Sequence, residues 1–234
     1  MAKLSSKTGK GKNANSLANL KNSNKDFKNA TFINTGSKKL SNLDNIKFAK
    51  IAGIPDDFKG EVTITASDKT PIISVRAFND KITMTRTMNE STKVIDNKYF
   101  KIKSKEDENG KPIPNSASYS GNEVFKIQVE AAIKNGYKRM ITHAAGSKGD
   151  KEYNGYYTWA RLGYEPKKTD KYVNKIIEKY NKTYKQNATS LGEVMSTQTG
   201  REYWRENGID FEGTFDLKPN SYSVKTLRNY KKSK

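Results

Sequence analysis

The run Asn-Gly-Tyr-Tyr-Thr-Trp-Ala-Arg-Leu-Gly-Tyr-Glu-Pro, from Asn154 to Pro166, gathers large aromatic and small hinge residues in a chain otherwise rich in lysine and polar side chains. Its spacing predicts a short helix over Tyr156–Leu162, closed by Gly163 in a left-handed cap, with Pro166 preventing continuation. Ahead of it, Val124, Phe125, Gln128, Val129, Ala132 and Ile133 form one stripe of an amphipathic helix over Asn122–Asn135, which Asn135-Gly136 ends. Lys138–Ala145 then reads as a strand ending in small residues. Trp159 and Tyr164 are expected to pack between the central helix and a sheet.

Composition narrows what can be built around this run. Apolar residues make up only 33% of 234, but 13 Tyr, 9 Phe and 2 Trp supply much buried area per residue, so the core should be aromatic and local. A net charge of +19 points to an anionic partner such as nucleic acid or an acidic protein surface. The absence of cysteine excludes disulfides and thiolate metal sites, and a single histidine excludes a multi-histidine metal centre, so no metal site is expected. No apolar run approaches the roughly 18 residues of a membrane span, and no hydrophobic signal-peptide core is visible.

Residues 1–45 hold nine lysines against two aspartates and few apolar groups, which predicts a basic flexible arm including Lys3, Lys7, Lys10 and Lys12. Ile51–Asp57 marks a turn before the folded body. Strand alternation follows: Val62 and Ile64; Ile73, Val75 and Ala77; Ile82, Met84 and Arg86 against three threonines; then Lys93–Lys103. Asn79-Asp80 is a two-residue hairpin signal, so this half reads as an antiparallel meander. Glu106–Ser118 and Ser147–Glu152 read as loops. Later, Asp170–Lys185 is a helix with Tyr172, Val173, Ile176, Ile177, Tyr180 and Tyr184 on one face. Ser196–Asn207 is another, capped by Gly208, and Gly213–Leu217 returns as a strand. Residues 218–234 read as a second basic arm carrying Lys225, Arg228, Lys231, Lys232 and Lys234.

Antiparallel strands, turn, helix, strand, short helix ending in Leu162-Gly163-Tyr164: this order, with Gly121, Gln128-Val129-Glu130-Ala131-Ala132 and Ala144-Ala145-Gly146, resembles the GNAT superfamily of N-acetyltransferases. The wording of Asn154–Tyr164, with Thr199-Gly200-Arg201-Glu202-Tyr203-Trp204 and Phe215-Asp216-Leu217, is similar to GNAT-like domains of tailed-phage proteins. The resemblance covers about Glu61–Leu217. It implies an α+β fold, a mixed, mostly antiparallel sheet flanked by helices over residues 46–217, between the two basic arms.

The resemblance also implies candidate residues. In an active member, Ser120, Gly121, Asn122 and Glu123 would form the turn that binds the acetyl-CoA pyrophosphate, and His143, Tyr156 and Tyr157 would be the acid–base candidates. Asp96 and Glu61 are the carboxylates on the strands. Two departures weigh against activity. Glu123 stands where the family has a small residue, and Trp159 replaces the tyrosine that serves the departing thiolate. The expectation is therefore a structural component of a phage virion, assembled in the host cytoplasm without a cofactor. Its arms would contact other virion proteins, further copies of itself or packaged DNA, and no membrane. The alternative is a cytoplasmic acetyl-CoA-dependent N-acyltransferase.

Overall fold

A computed structural model describes residues 27–103, 120–150 and 152–230. The four alternating segments between residues 60 and 102 form β2 (Gly60–Ala66), β3 (Ile72–Phe78), β4 (Ile82–Asn89) and β5 (Val94–Ile102), an antiparallel meander as the alternation predicts. One set of side chains, among them Val62, Ile64, Ile73, Val75, Ile82, Met84 and Ile95, is buried. The other set, including Thr63, Thr65, Ser74, Arg76, Thr83 and Thr85, is polar and at least partly exposed. An antiparallel sheet needs only one apolar face, and this one has its helices on that face.

The β3–β4 turn is longer than the Asn-Asp pair suggests, taking in residues 79–81. Asn79 is buried, and its Oδ1 accepts from the amides of Lys81 and Ile82 while Nδ2 donates to the Lys59 carbonyl at 2.8 Å. The Asn79 amide still donates to the Ile82 carbonyl at 3.0 Å, and the side chain takes the place of the returning backbone bond.

Two parallel crossovers extend the meander. At one edge, β1 (Ala30–Thr35) runs parallel to β2 and is joined to it through α1 (Asn42–Ala52). At the other, α2 (Gly121–Lys134) leads from β5 to the parallel strand β6 (Arg139–Ala144). The chain then forms α3 (Gly155–Leu162), β7 (Glu165–Pro166), α4 (Lys171–Tyr184), α5 (Leu191–Met195), α6 (Gln198–Asn207), β8 (Phe211–Asp216) and α7 (Tyr222–Asn229). The eight strands lie in the order β1-β2-β3-β4-β5-β6-β8-β7. The architecture is α+β with an open mixed sheet.

Two expectations need correction. The stretch assigned to an N-terminal arm contains β1 and the start of α1, with Phe27, Phe32 and Asn45 fully or almost fully buried. Lysine-rich composition hid a β-prone Ala-Thr-Phe-Ile-Asn-Thr segment and a reciprocal cap in which Ser41 Oγ accepts from the Asp44 amide and Asp44 Oδ2 from the Ser41 amide. The C-terminal stretch is likewise a docked helix through residue 229. In α7, Val224 and Leu227 are buried and Ser223 Oγ donates to the Gly163 carbonyl at 2.7 Å. Lys225 and Arg228 lie on its exposed side. Lys3, Lys7, Lys10, Lys12, Lys231, Lys232 and Lys234, and the loop expected at Glu106–Ser118, lie outside the described residues.

Phe32 is 2% exposed and meets Phe27 edge-on at 5.9 Å. Phe32→Ala is expected to cost about 3–5 kcal/mol, the range for aromatic truncation in a core. Urea unfolding measures it, and an unchanged midpoint would put β1 outside the cooperative unit.

Strand β7 carries a carboxyl into the helical layer. Glu165 accepts the Gly192 amide of α5, and burial pushes its carboxyl up from 4.5 to about 7, with Glu193 adding repulsion. A side chain at Gly192 would collide with Glu165 Oε1 and the Tyr222 ring. Since the folded chain holds this proton more tightly than the unfolded one, the group's contribution is complete below pH 4.5 and lost as pH rises towards 7. Glu165→Gln should therefore gain melting temperature relative to the parent as pH rises through that window, and a pH-independent difference would contradict the assignment.

Candidate cleft between the diverging strands

Strands β5 and β6 pair at only three positions, Val94–Arg139, Ile95–Met140 and Asp96–Ile141. Beyond these, β5 stays with β4 and β6 stays with β8, so the two parallel strands part. The register of β4 against β5 shifts here, with Arg86 opposite Asn97 and Thr85 opposite Tyr99, leaving Lys98 as the extra residue of a bulge. Such a bulge bends its strand and re-aims the residues that follow.

Buried polar groups hold this point from the helical side. Arg86 is 1% exposed; its Nη1 donates to the Tyr99 carbonyl at 2.6 Å and the Thr85 carbonyl at 3.3 Å, and its guanidinium lies over the Phe100 ring. Desolvation lowers its pKa to about 10, partly offset by Tyr164 and Asp96, so it stays charged at neutral pH. Asn97 Nδ2 donates to Tyr164 Oη at 2.8 Å and to Gln128 Oε1 at 3.2 Å, and Gln128 Nε2 donates back to Asn97 Oδ1 at 2.8 Å. Burial pushes the Tyr164 hydroxyl up, keeping it neutral. Thr142 Oγ1 donates to the Asn97 carbonyl at 3.0 Å, satisfying the first β5 carbonyl past the end of the pairing.

The opening is a cleft of about 380 Å³, walled by Tyr99 and Phe100 from β5, Thr142 and His143 from β6, Tyr153 from the connecting loop and Trp159 from α3. Trp159 is half-buried, its ring against Phe125, Tyr164 and Phe100 at 5.6, 5.1 and 6.3 Å. It packs against the central helix as the sequence predicts, yet one side forms cleft wall. Gly155 lets α3 start close to β6, because a Cβ there would stand 2.9 Å from the Ala145 carbonyl oxygen.

The candidate residues are not assembled in one place. His143 lines the cleft, half-exposed, with Nδ1 3.0 Å from Glu212 Oε1 and Nε2 3.6 Å from Asp210 Oδ2. Tyr156 and Tyr157 turn towards α6: Tyr156 Oη donates to the Arg205 carbonyl at 2.8 Å, and Arg205 Nη2 donates to Tyr157 Oη at 2.8 Å. Ser120 makes no side-chain cap bond, Gly121 sits over Phe100 and Ile102, and Glu123 is exposed in the first turn of α2; none of Ser120, Gly121, Asn122 or Glu123 lines the cleft. Asp96 pairs with Lys98 at 2.5 Å and Glu61 accepts from Thr63 at the far side of the sheet. Tyr99, Tyr153 and Lys98 were not singled out from the sequence; only an interrupted inward series, polar Asn97 after Ile95, marked the place.

No protein-family model, curated protein or solved structure matches the chain. Among the described residues no group of three or more His, Asp or Glu side chains is placed to hold a metal ion, and no helix is long and apolar enough to cross a membrane.

Replacing Asn97 with alanine would strand both polar atoms of Gln128 and the Tyr164 hydroxyl, at about 1–3 kcal/mol for each buried group left unpaired. The expected loss in urea unfolding is several-fold larger than for Thr63→Ala on the open face. Equal losses would show that the network does not hold the junction.

Proposed function

We propose that the chain is a structural component of a bacteriophage particle, built on a GNAT-like scaffold that does not carry acyl-transfer chemistry. Support for the scaffold comes from the element order: an antiparallel meander, a helix crossing between parallel strands that diverge past a bulge, and a short helix ending at Gly163-Tyr164. Support for the particle comes from the resemblance of Asn154–Tyr164 and Thr199–Trp204 to phage GNAT-like domains, together with the charge of +19, which suits packaged DNA or acidic neighbours.

The observation that carries the non-catalytic reading is the engagement of the Tyr156 and Tyr157 hydroxyls with Arg205, away from the cleft. A positioned general acid or base contributes about 10²–10⁴ in rate, so losing it outweighs Glu123, whose repulsion of a phosphate 4 Å away in water is only about 1 kcal/mol per unit charge. Calorimetric titration with acetyl-CoA should show no micromolar binding, and a panel of amines no acetyl transfer. Either signal would overturn this reading. An antibody against the chain should label purified particles of the encoding phage; particles free of the chain would remove the virion assignment.

One observation favours the alternative, acetyl-CoA-dependent N-acyl transfer: His143, bonded to Glu212, faces the same cleft as Tyr153. If that reading holds, His143→Asn abolishes transfer and leaves acetyl-CoA binding intact.

A further inference from the structure

Helix α4 buries Val173, Ile177 and Tyr180 against the neighbouring helices. At 100° per residue the opposite side carries Lys171, Lys175 and Lys182, with Lys179 and Tyr172 beside them. All five are exposed, and Tyr172, expected on the buried face, is 73% exposed: it falls a full residue short of the Val173 position that faces the core. Among the described residues none of these lysines makes an ion pair.

The arrangement works against the helix itself. Its first turn has no acidic residue and begins with Lys171, where the helix dipole favours negative charge. Lys171, Lys175 and Lys179 follow at four-residue spacing, at which like charges cost a few tenths of a kcal/mol each. The nearby acid Asp170 is committed to capping, accepting the amides of Tyr172 and Val173 at 3.0 and 3.1 Å. Glu178, three residues after Lys175 and four before Lys182, pairs with neither. A solvated surface helix would gain by alternating the signs of its charges, and this one does not.

We infer that the lysine ridge of α4 is a contact surface for the phosphate backbone of duplex DNA, read without sequence preference. From Lys171 to Lys182 the ridge spans about 16 Å at 1.5 Å per residue, and a duplex carries a charge about every 1.7 Å of its axis, both strands counted, so each of the four lysines has a phosphate to neutralise. Tyr172 at the ridge edge adds a hydroxyl donor of the kind that contacts phosphate and sugar. The contact rests on this helix and not on the particle assignment.

The test uses the full chain and a labelled duplex of about 20 base pairs, with fluorescence anisotropy followed as salt is raised. A ridge variant (K171Q, K175Q, K179Q, K182Q) is compared with a control that removes equal charge from exposed lysines elsewhere (K59Q, K69Q, K81Q, K101Q), both checked for a melting temperature no lower than the parent's. The ridge variant should lose at least about tenfold in affinity and about 3–4 from the log–log salt slope, at roughly 0.9 per phosphate contact; the control should stay near the parent. Equal losses in both variants would mean diffuse attraction and overturn the inference. So would an unaffected ridge variant, or a parent chain that does not bind the duplex. Binding by purified protein that is absent from particles would leave the ridge standing and remove only the virion reading.

Discussion

A charged guanidinium sealed beneath a β-bulge holds the two halves of this sheet in their relation. Strand β5 must stay paired with β4 along its length while leaving β6 after three residues. Arg86 makes that departure stable by donating to the carbonyls of Thr85 and Tyr99, which face each other across the two strands just past the bulge. A lysine would bring a compact, strongly hydrated charge, whereas a guanidinium is planar, stacks on an aromatic ring and tolerates desolvation better. Because the bulge re-aims the strand, Tyr99 reaches the cleft and Phe100 turns beneath it.

The aromatic layer explains how a chain with so few apolar residues closes a core on this junction. Phe125 of α2 touches Trp159, Tyr164 and Phe215 at 5.6, 5.7 and 5.2 Å, so one ring ties the central helix to α3, to the residue before β7 and to β8. A second group, Tyr180, Tyr184 and Tyr203, joins α4 to α6. Trp204 is fully buried and its Nε1 donates to the Tyr156 carbonyl at 3.0 Å. Docking α6 against α3 in this way supplies Tyr156 and Tyr157 with partners and takes their hydroxyls from the cleft.

Periodicity was sufficient to read β2 to β5, α2, α3, α4 and α6, since each buries one face of a regular element, and the Gly163 cap follows from local chemistry alone. The terminal elements were lost because composition averaged over long windows hides a six-residue strand whose stability comes from pairing with β2, and an eight-residue helix docked by Val224 and Leu227. Arg86 was visible as a charge within the inward series Ile82, Met84, Arg86, although its carbonyl partners depend on a bulge that alternation cannot foresee. His143 stood out as the single histidine at a strand end. Its carboxylate neighbours, Asp210 and Glu212, lie more than sixty residues away and arrive through the β6–β8 register, which pairs His143 with Glu212.

The outward charge of the molecule follows from how its acids are used. Asp44 closes the cap of α1, Asp150 accepts the amides of Glu152 and Tyr153, and Asp170 caps α4. Glu193 accepts from Thr189 ahead of α5, and Glu90 accepts the Tyr137 hydroxyl while facing Lys47 and Lys93. Hydrogen bonds hold the Asp44, Asp150 and Glu193 carboxyls below their ordinary values; Glu90 is also lowered, its Tyr137 bond and lysines outweighing burial. Their stabilisation is present above the ordinary carboxylate range and fades as pH falls through the lowered values. These acids are engaged by hydrogen bonds within the chain, whereas the lysines of α4 face solvent without a counter-charge among the described residues. Ionic screening acts over about 8 Å at physiological salt, longer than the roughly 6 Å between lysines one four-residue step apart, so an approaching polyanion meets the ridge as one continuous charge rather than as separate points.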